Sequence, residues 1–226
     1  DKGYAERNPE ADVEGHDACR KIAILTSLIS GQHVDFEKIH TEGITKITTE
    51  DMKYAKKLNM AIKLLASSKR VGDTFSVLVA PMLLSEEHPL CNVNDVFNAV
   101  FVRGNMLGDA MFYGSGAGKL PTASAVVADV VDAAKHLHRN VVTRWDAGEL
   151  ELIPNAEAEH RFFVRVQGRS EAQKEQIREA FGSVEIVETE GLEDEFGFIT
   201  EVMTEGTYSK KAEAFPEIIH MIRLAD

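Results

Sequence analysis

Between residues 14 and 31 the apolar positions Ala18, Ile22, Leu25 and Ile29 recur at i, i+4, i+7 and i+11, which predicts a helix, and Gly31 is placed to stop it. A short helix is expected over 35–40 (DFEKIH). A longer one is expected from Thr48 to Leu58, where Thr48 with Asp51, and Thr49 with Glu50, give the cap-like, acidic chemistry of a helix start. The pattern then changes. MAIKLLAS (60–67), FSVLVAPML (75–83), NAVFVRG (98–104) and GDAMFYG (108–114) read as strands, partly β-branched or aromatic and separated by turn residues. Pro81 predicts that its strand ends, or lies at a sheet edge, at that residue. After glycines at 114, 116 and 118, residues 121–137 (PTASAVVADVVDAAKHL) read as a long helix.

Residues 139–158 read as a loose connection, with 146–158 as the linker itself. Beyond it, HRFFVRVQG (160–168) predicts a strand, and SEAQKEQIREAFG (170–182) a helix capped by Ser170 and stopped by Gly182. VEIVETEG (184–191) and FGFITEVMTEG (196–206) follow as strands, SKKAEAFPEII (209–219) as a helix that Pro216 must kink or end, and HMIRLAD (220–226) as a last strand. The order β-α-β-β-α-β is that of the ferredoxin-like unit. The expected fold class is therefore α+β: a mixed sheet with helices on one face, followed by a ferredoxin-like βαββαβ domain. The divisions are 1–145, a linker at 146–158, and 159–226.

The 226 residues, 44% apolar and 27% charged, are ordinary for a globular protein and long enough to bury a core without disulfides or metal. The net charge of −12 argues against nucleic acid and against anionic membrane surfaces as partners, while leaving room for a small anionic ligand held locally. Cys19 and Cys91 show no CxxC or Cys/His spacing, which points to a reduced chain in the cytoplasm. His136 and His138 are two residues apart on a helical segment and do not share a face, so no metal site is expected. No run of 18 apolar residues exists, and no signal peptide is expected. The opening DKGYAER, without an initiator Met, is expected to belong to something longer.

Two stretches carry candidate chemistry. The first is GYAERNPEADVEGHDACRK, residues 3–21, with three Glu, two Asp, two Arg and one Lys leading directly into the apolar IAILTSLIS. Asp17 and Lys21 are i and i+4 on the helix, so they share a face, and their row continues through Ile24 and Leu28: an apolar row with two charges at its beginning. One reading is a surface ion pair worth roughly 0.2–0.5 kcal/mol. The other draws in Tyr4, Glu6 and Asp12 from the preceding loop. Carboxylates around one ammonium suit an amino-acid zwitterion, with Lys21 moving a proton at a nearby oxygen once its pKa falls below the ordinary value of about 10.4. The second stretch is GSGAGKLPTASAVVAD (114–129), glycine-rich between a strand and a helix. It is either a structural turn or a place where backbone N–H groups approach an anion or flat ring; its GxGxG spacing lacks the third glycine position of the dinucleotide fingerprint.

Together these stretches resemble the homoserine dehydrogenase family. The pattern GYAE-x-x-P-x-x-D-x-x-G-x-D-x-x-x-K is met by Gly3, Tyr4, Ala5, Glu6, Pro9, Asp12, Gly15, Asp17 and Lys21, and NAVFVRGNMLGDAMFYGSGAGKLPTASAVVADV resembles the family's second landmark. The resemblance covers roughly residues 3–138. It implies an oxidoreductase interconverting L-homoserine and L-aspartate 4-semialdehyde with NADP or NAD, in amino-acid biosynthesis. On the matching positions, Glu6 and Asp17 would hold or orient the substrate amino group, Tyr4 and Asp12 would line the site, and Lys21 would give a proton to the aldehyde oxygen or take it back. Gly116, Ala117 and Gly118 would lie near the nicotinamide.

The family's dinucleotide-binding domain, an early helix of the substrate domain and a second active-site lysine precede this region, and no strand–GxGxxG–helix occurs here. The chain therefore resembles the family's C-terminal part, expected not to turn over by itself, and the choice of NADP or NAD is set elsewhere. Residues 159–226 resemble an ACT domain, through the element order and FITEVMTEGTYSKKAEAF, which implies threonine as an effector; VQGRSEAQKEQI, however, lacks the Asp-x-x-Gly turn that seats ligands in many ACT domains. The implied assembly is a homodimer or homotetramer. The contrasting reading is a regulatory and dimerising fragment with no activity of its own.

Overall fold

The computed structural model describes residues 9–142 and 145–225. In chain order these form α1 (Glu10–Val13), α2 (His16–Ser30), β1 (Gln32–His33), β2 (His40–Thr41), α3 (Thr49–Lys57), β3 (Met60–Val71), β4 (Thr74–Ser85), β5 (Phe97–Gly104) and β6 (Gly108–Ser115). There follow α4 (Lys119–Lys135), β7 (Asp146–Glu149), β8 (Glu159–His160), β9 (Phe162–Gln167), α5 (Glu171–Phe181), β10 (Val184–Val187), β11 (Glu195–Thr200), β12 (Met203–Thr204), α6 (Glu205–Ala212) and β13 (Ile218–Leu224). The helix of 35–40 is a single 3-10 turn, Phe36–Lys38, started by the Asp35 side chain accepting from the Glu37 amide. Two compact units result, one built on residues 86–142 and the other on 10–85 with 145–225.

The cap signals act as the sequence suggests. The Thr48 hydroxyl accepts from the Asp51 amide while the Asp51 carboxylate accepts from the Thr48 amide, a reciprocal pair that satisfies two otherwise orphaned donors. Ser170 and Gln173 do the same for α5, which Gly182 ends. Gly31 closes α2 in the left-handed conformation with its N–H on the Ser27 carbonyl. The last helix ends at Ala212, four residues before Pro216.

The larger unit holds a seven-stranded sheet in the order β10-β11-β9-β13-β4-β2, with β3 paired along the other side of β4. The sheet runs through the boundary expected at 146–158. β13 pairs parallel with β4 (Arg223 opposite Met82), so the strands after 159 extend the sheet begun before 86. Within the segment 146–158, β7 pairs with β1, and a 3-10 turn covers Asn155–Glu157. The four later strands of the sheet, in the order β10-β11-β9-β13, are antiparallel to one another.

Pro81 does not end its strand; β4 continues to Ser85. The Val79 carbonyl accepts from the Glu42 amide and the Leu83 carbonyl from the Ala225 amide. Backbone groups alternate sides along a strand, so the missing N–H of Pro81 points into the gap between β2 and β13, where no partner asks for it. The edge is local to one residue and one side.

Helices cover both faces. Phe75, Val77 and Val79 pack against Cys19, Ile22 and Ala23 of α2. Leu83, Phe163, Ile222 and Leu224, on the same face by register, pack with Tyr54 and Ala55 of α3. The expectation of helices on one face thus describes α2 and α3. On the opposite face, Phe162, Val164 and Val166 lie under Ile177 and Phe181 of α5 and Tyr208 of α6. In the smaller unit, β5 and β6 form a hairpin in register from Phe97–Ser115 to Gly104–Gly108, followed by α4, which buries none of its residues.

Candidate functional site

Of the residues singled out from the sequence, the structure pairs Asp17 with Lys21 in the first turns of α2, while Asp12 stands on α1, before the turn at Gly15. Tyr4 and Glu6 lie outside the described residues. Gly15, left-handed at φ 78°, turns the chain from α1 into α2 without any side-chain cap. Its N–H reaches the Asp12 carbonyl at 3.2 Å, and the Val13 carbonyl accepts from the Ile44 amide at 2.8 Å. Lys21 Nζ stands 2.6 Å from Asp17 Oδ2, with the two side chains 68% and 46% exposed. Asp12 is exposed on α1.

The row carrying this pair faces away from the core. The buried face of α2 is Cys19, Ile22, Ala23, Thr26 and Ser27, one position round from the row expected to be apolar and inward. Ile24 and Leu28, which continue the Asp17–Lys21 row, are more than half exposed, and so is Ile29 of the expected core stripe. The small and polar residues Ala23, Thr26 and Ser27 face inward because they make specific contacts there. Thr26 donates to Ser68 at 2.8 Å, and Ser27 donates to the Ala23 carbonyl while accepting from the Val34 amide. Hydrophobicity alone picks the wrong stripe on a helix whose buried face contains such residues. The result suits a site: a paired carboxylate and ammonium stand on an open helix face beside exposed apolar side chains.

Gly116, Ala117 and Gly118 belong to the other unit, between β6 and α4. The Gly116 N–H bonds to the Val96 carbonyl, and a Cβ on Gly116 would run into the Asn98 side chain. Gly118 has φ 123°, and no side chain caps the start of α4. Bare backbone before an uncapped helix start fits contact with a flat ring or an anion, though not the whole of a dinucleotide. Among the described residues no cluster of three or more His, Cys, Asp or Glu is arranged to hold a metal ion. No described helix is long and apolar enough to cross a membrane.

Two buried arginines were not anticipated. Arg165 on β9 donates to Glu195 at 3.0 and 2.7 Å, to Asp51 at 2.9 Å and to Thr48 at 3.0 Å. Burial alone would raise the Asp51 carboxyl; hydrogen bonds from His220, the Thr48 amide and Arg165 outweigh it and hold the group down at about 2. Arg223 on β13, 2% exposed, donates to Glu42 at 2.9 and 2.8 Å and is hydrogen-bonded through Nε and Nη2 to Glu205 at the start of α6. Glu42, also bonded to His40 at 2.6 Å, is held well below the usual carboxylate range: burial opposes this, and the His40 and Arg223 bonds prevail. The sequence does hold a signal for both arginines. Each interrupts an otherwise apolar strand, FFVRV and MIRL, where a charge must find a buried partner.

The sequence profile of the homoserine dehydrogenase family matches residues 1–131. A homoserine dehydrogenase of Neisseria gonorrhoeae is 38% identical over 177 residues, covering 75% of this chain and 41% of that protein. One from Mycobacterium bovis is 35% identical over 236 residues, covering 96% of this chain and 54% of that protein. The crystal structure of a homoserine dehydrogenase from Thiobacillus denitrificans superimposes with a TM-score of 0.86 at 31% identity, over 98% of this chain and 56% of that one. The chain thus spans about half the length of the proteins it matches. With the paired Asp17 and Lys21 standing within the matched region, the chain belongs to the homoserine dehydrogenase family.

Proposed function

We propose that the chain is the substrate-binding and C-terminal part of a cytoplasmic enzyme that interconverts L-homoserine and L-aspartate 4-semialdehyde. The observation that carries the reading is the Asp17–Lys21 pair on the open face of α2. Asp17, with Glu6, takes the substrate ammonium, and Tyr4 and Asp12 line the site. Lys21 delivers a proton to the aldehyde oxygen as it becomes an alcohol and receives it in the reverse direction. NADP or NAD, held mainly by a part of the enzyme outside these 226 residues, supplies or takes the hydride. Gly116, Ala117 and Gly118 line that group's flat end, the two glycines leaving the backbone on either side of Ala117 without a Cβ.

In the complete enzyme, Lys21→Ala is expected to lower kcat by about 10²–10⁴-fold. Unfolding stability should stay within about 0.5 kcal/mol, because the pair is exposed. Steady-state kinetics of homoserine oxidation check this; a kcat within a few-fold of the parent rules the proton-transfer role out. The isolated 226-residue chain is expected to show no oxidation.

The four-stranded part, β10-β11-β9-β13 with α5 and α6, supports assignment of 159–226 as an ACT-like domain, and the family match over residues 1–131 supports 1–145 as the substrate and dimerising domain. A second reading concerns its ligand. The Gln173 side chain occupies the space beside Gly168, closing the β9–α5 loop, and also reaches the Gln167 carbonyl. That favours an assembly role without a threonine site. Titration calorimetry with threonine separates the two: saturable heat supports the effector reading, and its absence supports assembly alone. The exposed Phe112, Val126, Val127 and Val130 in the smaller unit support a homodimer or homotetramer, read by light scattering.

A further inference from the structure

The C-terminal strand is tied to the substrate site by a short chain of contacts. Arg223 on β13 lies between Glu205 of α6 and Glu42. Glu42 belongs to the segment 41–44, which is held between β4 and the α1–α2 turn. The Glu42 amide bonds to the Val79 carbonyl, and the Ile44 amide to the Val13 carbonyl. At Gly43 the two backbones approach so closely that a Cβ would stand 2.5 Å from both Glu14 Cα and the Val13 oxygen. A Cβ on Gly15 would meet Val79 and Thr41 at 3.0 and 3.3 Å. The turn Val13–Gly15 therefore cannot shift unless 41–44 shifts, and 41–44 is held by a two-pronged Arg223–carboxylate bond.

We propose that Arg223 and Glu42 are positioning residues: they fix the segment 41–44, and through it the turn that places Asp12 relative to Asp17, so that amino-acid binding depends on the C-terminal strand. The inference rests on the substrate roles proposed above. Its signature follows from where the turn lies. Asp17 and Lys21 are both within α2, so their mutual geometry survives a loosened turn, whereas Asp12 stands on the other side of it. Loosening the clamp should weaken binding of the amino-acid substrate and leave the proton-transfer pair intact.

The test uses the complete enzyme with Glu42→Gln, which keeps the shape of the side chain and removes its charge, and Arg223→Lys, which keeps the charge and loses the fork. Arg223→Met serves as the stronger variant. KM for homoserine should rise about tenfold in Glu42→Gln, with kcat within about threefold, and Arg223→Lys should recover part of the loss seen in Arg223→Met. Hydrogen exchange at the Val13–Asp17 amides should quicken by tenfold or more in Glu42→Gln and stay at the parent rate in Asp51→Asn, which disturbs the Arg165 cluster instead. A folded Glu42→Gln enzyme with parental KM and parental exchange at those amides overturns the proposal. So does equal quickening in Asp51→Asn, which marks general destabilisation. An enzyme that never oxidises homoserine removes the substrate roles, while the exchange comparison still decides whether the clamp holds the turn.

Discussion

Replacing Arg165 by Met gives the most direct test of how the sheet is held to α3. The guanidinium makes two hydrogen bonds to Glu195, one to Asp51 and one to Thr48, and lies 6.0 Å from the Tyr54 ring centroid. Met fills much of the same volume, so the loss is mainly electrostatic: two carboxylates remain buried without their shared cation. Removing one partner of a buried ion pair costs about 3–5 kcal/mol, because the other charge is left uncompensated. The Asp51 end should suffer less than the Glu195 end. Asp51 retains His220 at 3.0 Å and the Thr48 amide at 2.8 Å, whereas the described hydrogen bonds of the Glu195 carboxylate come from Arg165 alone. Urea unfolding followed by circular dichroism should therefore show Arg165→Met less stable by about 3–5 kcal/mol at unchanged slope. Adding Glu195→Met should recover about 1.5–3 kcal/mol of that, the coupling expected of residues in one buried network. A loss below about 1 kcal/mol, or a double variant no more stable than Arg165→Met, would refute the claim that these charges are held by each other.

Neighbouring groups give four further expected outcomes. The Asp51 carboxyl is lowered from 3.8 to about 2, so its contribution is complete above pH 4 and disappears as pH falls through 2; it is worth on the order of 2 kcal/mol, and Asp51→Asn should flatten the acid limb of a stability–pH curve over that range. Glu42 is displaced in the same direction and should add to the same acid limb, which a Glu42→Gln curve tests. The Tyr54 hydroxyl is buried with no hydrogen-bond partner among the described residues, so Tyr54→Phe should leave stability unchanged or raise it by about 1 kcal/mol in thermal unfolding, and a clear loss would show that the hydroxyl is satisfied. Gly43→Ala should cost about 1–3 kcal/mol, since the new methyl meets backbone rather than a movable side chain, and a neutral result would show that the 41–44 segment has room to retreat.

Local chemistry is what the sequence expresses best. Thr48, Ser170, Gly31 and Gly182 mark helix ends that the structure places where the residues call for them, because a cap is satisfied within four residues of itself. The order of strands and helices after 159 was legible for the same reason. Burial on α2 was not, because the inward face is decided by partners such as Ser68 and Val34 that hydropathy does not register. Pro81 misled through a rule that is correct: the missing donor does require an unpaired side, yet that side extends over a single residue between two short parallel neighbours. Of the residues proposed for the site, Asp17 and Lys21 share a face by spacing alone, and the structure pairs them at 2.6 Å. The place of Glu42 was not legible, since its guanidinium partner lies 181 residues away.

The two arginine clusters have the same composition and join the same parts of the chain. Each sets one buried guanidinium between two carboxylates, one before residue 52 and one after 190: Asp51 with Glu195, Glu42 with Glu205. Apolar side chains of similar size would hold the sheet together about as well, since desolvating three charges offsets much of their attraction. What apolar packing does not supply is direction. A guanidinium fork fixes two carboxylates in a plane and at a distance, so the segment carrying Glu42 and the helix start carrying Asp51 are each set relative to the late strands to within a hydrogen bond. Both attachments fall within twelve residues of each other, on the segment that backs the α1–α2 turn and begins α3. A chain needing only a stable sheet gains little from that arrangement. If Asp12, Asp17 and Lys21 share a site, as proposed above, the same arrangement fixes Asp12 relative to the other two across a glycine turn.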